Sequence, residues 1–223
     1  MNKKYFFLLI LTVFMCGTVA FGQKSIVILH TNDTHSRIEP IPESDRIAGN
    51  KGGVVRRMNY IEQVRKENKN VLLFDAGDFL QGTPYFNLFK GEVETEAMNM
   101  MRYDAVTLGN HEFDYGLEAL EKVVRRAKFP IISSNYDFSG TPLNNLIKPY
   151  LIFKKDGVKI GVIAINIQPK GLIASGNYDG MKFLQPERVA NELALKLKTT
   201  DRCDMVICLS HLGYTADKRL VEQ

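Results

Sequence analysis

The chain has 223 residues, enough for one domain with a substantial core, and a composition (45% hydrophobic, 24% charged) ordinary for a globular protein. Its formal charge of +4 includes Lys3 and Lys4; without them 27 basic residues face 25 acidic ones, a balance of +2. So small an excess gives no footing to a nucleic-acid polymer or a membrane surface as partner.

The first 22 residues have the form of a leader. Lys3 and Lys4 precede an apolar run over 5–16, followed by small residues at Gly17, Thr18 and Ala20. A basic start, an apolar stretch and a small-residue exit describe a secretory signal peptide, cut after Gly22 or after Ala20. Cleavage after Gly22 leaves 23–223 as the mature domain, secreted or periplasmic, with no stable membrane span. Two rivals are an uncleaved anchor, since 5–21 is nearly long enough to span a bilayer, and a lipoprotein modified at Cys16. Phe14-Met15 is a poor lead-in for the lipoprotein, and the cleaved signal is the expectation.

Beyond the leader, residues 25–29 (Ser-Ile-Val-Ile-Leu) form an apolar, β-branched run that predicts a strand buried on both faces. It gives way to His30-Thr-Asn-Asp-Thr-His-Ser36 and a loop closing on Gly52-Gly53. Helical spacing of apolar residues over 54–67 precedes a strand at 71–74, which runs into Asp75-Ala-Gly-Asp78. A helix over 92–101 precedes a strand at 105–108, which runs into Gly109-Asn-His-Glu-Phe-Asp114. A helix over 117–127 and a strand at 130–133 follow. Residues 135–142 have turn composition. Segments 150–153 and 158–165, joined through Asp156-Gly157, read as a hairpin. A helix over 187–198, a strand at 205–209, a loop at 210–213 and the start of a helix at 215–223 complete the chain. Met98, Met100 and Met101 are expected in the core, and Cys203 and Cys208 as buried free thiols, about five residues apart along extended chain and beyond disulfide reach.

Alternation of strand and helix argues an α/β fold with largely parallel strands. Asp33 and His35, Asp78, Asn110, His111 and Asp114, and His211 all fall just past the carboxyl end of a predicted strand, the rim where ligands bind in open α/β sheets. Each alone is ordinary: a lone D-x-H or G-D is usually a turn, and a single histidine is more often structural. Together they supply imidazole, carboxylate and amide donors suited to divalent metals, and three of the chain's four histidines stand among them. Asp78, with two carboxylate oxygens, can bridge two ions that clamp a phosphoryl group. Asp114, three residues after His111, can orient that imidazole. No G-x-S-x-G offers a nucleophile elbow.

Ile28-Leu-His-Thr-Asn-Asp-Thr-His35, Asp75-Ala-Gly-Asp78, Gly109-Asn-His-Glu-Phe-Asp114 and Ser210-His211, in this order and spacing, resemble the calcineurin-like metallophosphoesterases, and most closely their 5′-nucleotidase branch. The resemblance runs from about Ser25 to the end. It implies a four-layer α-β-β-α sandwich and an exported hydrolase of phosphate esters, nucleotides above all, working through metal-bound hydroxide without a covalent enzyme intermediate. It implies two divalent ions (Zn, Mn or Fe), the first on Asp33 and His35, the second on Asn110 and His211, with Asp78 shared. His111, paired with Asp114, would stabilise the transition state or protonate the leaving oxygen and would not be a ligand. His30 would be structural, and Glu112 and Phe113 would shape their loop.

The family's last metal motif, Gly-His-x-His or Gly-His-x-Gln, and the strand before it are not in the sequence. The expectation is a domain whose last strands are missing, from a longer protein with a separate C-terminal nucleotidase domain, the piece by itself being poorly stable and much less active. The alternative is a short form: an inactive or partner-dependent module that binds nucleotide or metal.

Overall fold

The computed structural model describes residues 23–222, so the expected leader at 1–22 lies outside the described residues. Among the described residues no helix is long and apolar enough to cross a membrane.

Two three-stranded sheets carry the domain. In the first, β1 (Val27–Thr31), β2 (Val71–Asp75) and β3 (Ala105–Val106) run parallel, with β2 central. In the second, β5 (Tyr150–Lys155) pairs antiparallel with β6 (Val158–Ile165), and β6 pairs parallel with β8 (Met205–Ser210). Asp156 and Gly157 both take positive φ between β5 and β6, the twist that a two-residue hairpin demands. A small ladder of β4 (Tyr136–Asp137) with β7 (Lys182–Phe183) stands apart from both sheets. It corrects the turn-rich reading of 135–142.

Strand alternation sends side chains to two faces. Leu72 and Phe74 point into the space between the sheets, where they meet Ile160, Val162, Ala164 and Leu209. Leu73 and Val106 point outward onto α1 (Val54–Glu67), α3 (Glu92–Met101) and α4 (Gly116–Arg126), through Ile61, Met98 and Leu120. The short α2 (Pro84–Phe89) adds Phe86 to that layer. On the far side Ile163 and Ile165 pack against Val189, Ala190 and Leu197 of α5 (Pro186–Thr199), with Leu220 of α6 (Tyr214–Val221) at the margin. The order is helix, sheet, sheet, helix.

The sheets are joined by hydrogen bonds as well as by apolar contact. Asn166, fully buried just past β6, donates from its amide to Thr107 Oγ1 (2.9 Å) and to the Leu108 carbonyl. Its Oδ1 accepts from Ser133 Oγ, and its backbone exchanges bonds with the Asn135 side chain (2.7 and 2.8 Å). Every side-chain polar atom of the pair is matched, as a buried polar group requires.

Several expectations need correcting. β1 is not buried on both faces: Ile28 is 38% exposed and His30 is exposed, because β1 is an edge strand and nothing in the second sheet lies over that end. A groove of about 690 Å³ opens there, between Ile28, His30 and Phe74 on one side and Ile207, Leu209 and Leu220 on the other. Residues 130–133 make single bridges rather than a strand, since their hydrogen bonds are split between Val106 and Lys148 as the chain crosses between sheets. Met98 and Met101 are core, but Met100 is 63% exposed on the outer face of α3. Cys203 is a buried free thiol; Cys208, on edge strand β8, is free and exposed.

Replacing Asn166 with Leu keeps volume but leaves the Leu108 carbonyl, Thr107 and Ser133 without their partner. We expect a loss of about 2–4 kcal/mol, read as a lower urea midpoint with an unchanged denaturant slope.

Candidate metal centre

The parallel first sheet delivers three loops to one rim, and β8 of the second sheet brings a fourth. The loops hold their side chains in unusual backbone. Asp33, His35 and Asp78 all have positive φ (50°, 43° and 57°) without being glycine. Such conformations cost free energy and collect at functional sites.

Asp78 is the hub. Its side chain is buried, and Oδ2 lies 3.9 Å from His35 Nε2 and 3.3 Å from His211 Nε2. His35 Nε2 also lies 3.7 Å from Asp33 Oδ1. Asp78 Oδ1 accepts the His111 N–H at 2.9 Å. Gly109 makes this approach feasible: a Cβ there would collide with Asp78 Oδ1 and come within 2.7 Å of His211 Nε2.

The donor atoms suit cations better than they suit each other. Asp33, Asp78 and His211 form one group whose ligand atoms lie within 4.8 Å of one another, and His35, Asp78 and His111 form another. The N···O separations of 3.3–3.9 Å exceed a good hydrogen bond but approximate the edge of about 3.4 Å between donors held about 2.1 Å from one ion. His35 Nδ1 is buried without a hydrogen-bond partner among the described residues. His211 Nδ1 is 2.8 Å from the Ala76 carbonyl, which fixes the ring and aims Nε2 at Asp78, the arrangement a ligand histidine favours. The residues present therefore fit divalent ions.

Charge is concentrated in these loops. Burial pushes the Asp75 carboxyl up to about 7, against hydrogen bonds from Thr31 Oγ1 (2.5 Å) and the Gly77 N–H (2.9 Å). Burial followed by the Asp78 charge pushes Glu112 up to about 7 as well. For Asp78 burial also works against the charged form, but His211 and the His111 N–H outweigh it and hold the carboxyl below its ordinary value. Burial opposes charge on His211 too, yet its bond to Asp78 lifts the imidazole to about 9.

Asp33, His35, Asp78 and His211 thus converge. Asn110 stands between Gly109 and His111, half-buried, and its side chain takes part in none of the hydrogen bonds among the described residues. His111 opens a one-turn 3-10 helix (His111–Phe113), and its Nδ1 lies 3.0 Å from Asp114 Oδ2. Its ring stands 5.3 Å from that of His35, edge to face, beside the hub. His30 does not join the cluster; it lines the open groove.

Three supporting acids and amides were not singled out from the sequence. Asp75 ties Thr31 of β1 to the Gly77 turn. Glu94 of α3, buried, accepts from Ser36 Oγ, while Thr83 Oγ1 donates to the Ser36 carbonyl (3.0 Å), so the His35 loop is clamped from behind. Asn166 holds the Leu108 carbonyl just ahead of Gly109. The first Asp of Asp75-Ala-Gly-Asp78 was visible as an acid ending an apolar run; Glu94 carried no signal on an ordinary amphipathic helix.

The calcineurin-like phosphoesterase family model matches residues 26–220. Snake venom 5′-nucleotidase of Crotalus adamanteus is 38% identical over 226 aligned positions, covering 97% of this chain and 38% of that protein. The Homo sapiens 5′-nucleotidase is 36% identical over 217 positions, covering 92% and 37%. Among solved structures, the 5′-nucleotidase precursor from Thermus thermophilus superposes with a TM-score of 0.80 at 36% identity, covering 87% of this chain and 38% of that one. The Haemophilus influenzae NAD nucleotidase gives 0.79 at 36% identity, covering 87% and 35%. The chain therefore spans under two-fifths of the length of these relatives. A family match over nearly all the described residues, on a four-layer sandwich whose strand exits gather acids and histidines, establishes that the chain belongs to the calcineurin-like phosphoesterases.

Proposed function

We propose that this chain carries the metal-assembling domain of an exported, two-metal phosphoesterase of 5′-nucleotidase type. One observation carries the reading above the others: Asp78 Oδ2 stands between His35 Nε2 and His211 Nε2, a shared carboxylate with a separate imidazole on each side. The similarity to proteins named 5′-nucleotidase and NAD nucleotidase supports nucleotides as the substrate class. The basic start and apolar run before residue 17 support export.

In this reading Asp33, His35 and Asp78 hold one ion, and Asp78, Asn110 and His211 the other, a division by loop that differs from the two compact donor groups, which set Asp33 with His211 and His35 with His111. Zn, Mn or Fe ions, when bound, polarise phosphoryl oxygens and lower the pKa of water. The protein's own part is positional. Asp114 accepts a hydrogen bond from His111 Nδ1–H and favours the imidazolium, the form in which Nε2–H also donates and can stabilise charge developing on the phosphate or protonate the leaving oxygen.

Hydrolysis of an aryl phosphate by the full chain is expected to require Mn²⁺ or Zn²⁺ and to disappear in Asp78→Ala; full activity in excess chelator would refute the reading. His111→Ala is expected to lower kcat by about 10²–10⁴-fold with metal content unchanged, with Asp114→Asn milder. Loss of metal from His111→Ala would instead make His111 a ligand. Because His211 is protonated below about 9 in the metal-free protein, an ion must displace that proton. Metal affinity should therefore rise with pH up to about 9, by at most about tenfold per unit, and level off above it. Calorimetric titrations in buffers of different ionisation enthalpy measure the proton released.

A further inference from the structure

Glu112 belongs to neither donor group, yet it is 2% exposed and its carboxylate is fully engaged. Oε1 accepts the N–H of Phe79 (2.9 Å) and of Leu80 (3.2 Å). Oε2 accepts the N–H of Asp78 (3.0 Å) and of Gly109 (2.5 Å). A carboxylate offers about four lone-pair sites, and all four are used.

The three consecutive amides converge because Gly77 and Asp78 both have positive φ (98° and 57°), which curls the turn into a concave nest of N–H groups. Such nests ordinarily bind anions, phosphate among them. Here the protein fills the nest with its own side chain, from the neighbouring loop. The engagement is reciprocal: Glu112 takes amides of the Asp78 loop, while Asp78 Oδ1 takes the His111 amide of the Glu112 loop. Two carboxylates thus clasp two loops, each by the other's backbone.

We infer that Glu112 is a positioning residue of the metal centre, whose carboxylate, accepting four backbone N–H groups, locks the Asp78 loop to the Gly109–His111 loop and so fixes the spacing of Asp78 and Asn110. The inference rests on the proposed metal reading. It has a corollary for substrate: the nest is closed to a phosphate, which must be held by the ions and by His111 instead.

Shape and charge make opposite demands on the replacement. Glutamine matches the size of Glu112 but turns an N–H₂ group toward two N–H donors. Aspartate keeps four lone pairs but withdraws them by one methylene. If Glu112 only fills space, glutamine is the better substitute; if it is an anionic clasp, aspartate is.

The test titrates the full chain with Mn²⁺ alone and follows amide hydrogen exchange without metal. Glu112→Gln is expected to weaken Mn²⁺ binding at least tenfold and to speed exchange at Asp78, Phe79, Leu80 and Gly109 at least tenfold, with the β5–β6 amides unchanged. Glu112→Asp is expected to retain more of both. Glu112→Gln with wild-type affinity and protection, or outperforming Glu112→Asp, would overturn the inference. If Glu112→Gln does not fold, the wild type still decides: these four amides must be protected like strand amides, and fast exchange overturns the clasp. Protected amides in a wild-type chain that binds no Mn²⁺ would uphold the clasp and refute the metal reading.

Discussion

Asp75, Asp78 and Glu112 are all buried within two adjoining loops, and an anion taken out of water must be matched by donors or by cations. Much of the local structure answers that requirement. Backbone amides at Gly77, Asp78, Phe79, Leu80, Gly109 and His111 all point at these carboxylates, those from 78 to 80 because the turn after β2 is left-handed. Asp78 turns one oxygen to the His35 and His211 imidazoles while the other is committed to backbone. The acids are distributed by role. Asp75 secures β1 to β2, Glu112 secures loop to loop, and Asp78 alone turns an oxygen toward the histidines.

The second sheet contributes little area to the rim but sets its depth. β8 is short and lies at an edge, yet it ends on His211, whose ring crosses to the Ala76 carbonyl of the first sheet. Asn166, at the end of β6, reaches across the same interval to hold Leu108. The two crossings straddle Gly109, where the backbone comes close enough to Asp78 and His211 to exclude any side chain. Sheet packing is therefore part of the site: a shift of one sheet against the other would move an imidazole relative to a carboxylate at 3.3 Å.

Much of this was legible in the sequence, for identifiable reasons. Apolar runs ended by acids and histidines marked both the strands and the rim, because burial and chemistry change over within two or three residues at Thr31, Asp75 and Ser210. Helical periodicity located 54–67 and 92–101 to the residue. The failures share a cause. Whether Ile28, Cys208 or Met100 is covered depends on which element lies across from it, and local pattern carries no such information. The 130–133 run has strand composition but shares its hydrogen bonds between two neighbours. Glu94 and Asn166 are scaffold residues whose partners, Ser36 and Thr107, are 58 and 59 positions away.

The His211–Ala76 hydrogen bond closes 135 residues of chain, and the Asp78–His211 contact spans nearly as many. Contacts so distant in sequence form only after the intervening segments have found their places, and the loop entropy they cost is met late. The first sheet can assemble from the opening half of the polypeptide, which holds β1 to β3, with the Asp33–His35 and Asp78 loops already in place. The shared carboxylate then has an imidazole on one side only. The second imidazole arrives only when β8 has paired with β6 and brought His211 over the rim. The same geometry that arranges donors around Asp78 thereby makes completion of the donor set a late event in the folding of these two sheets.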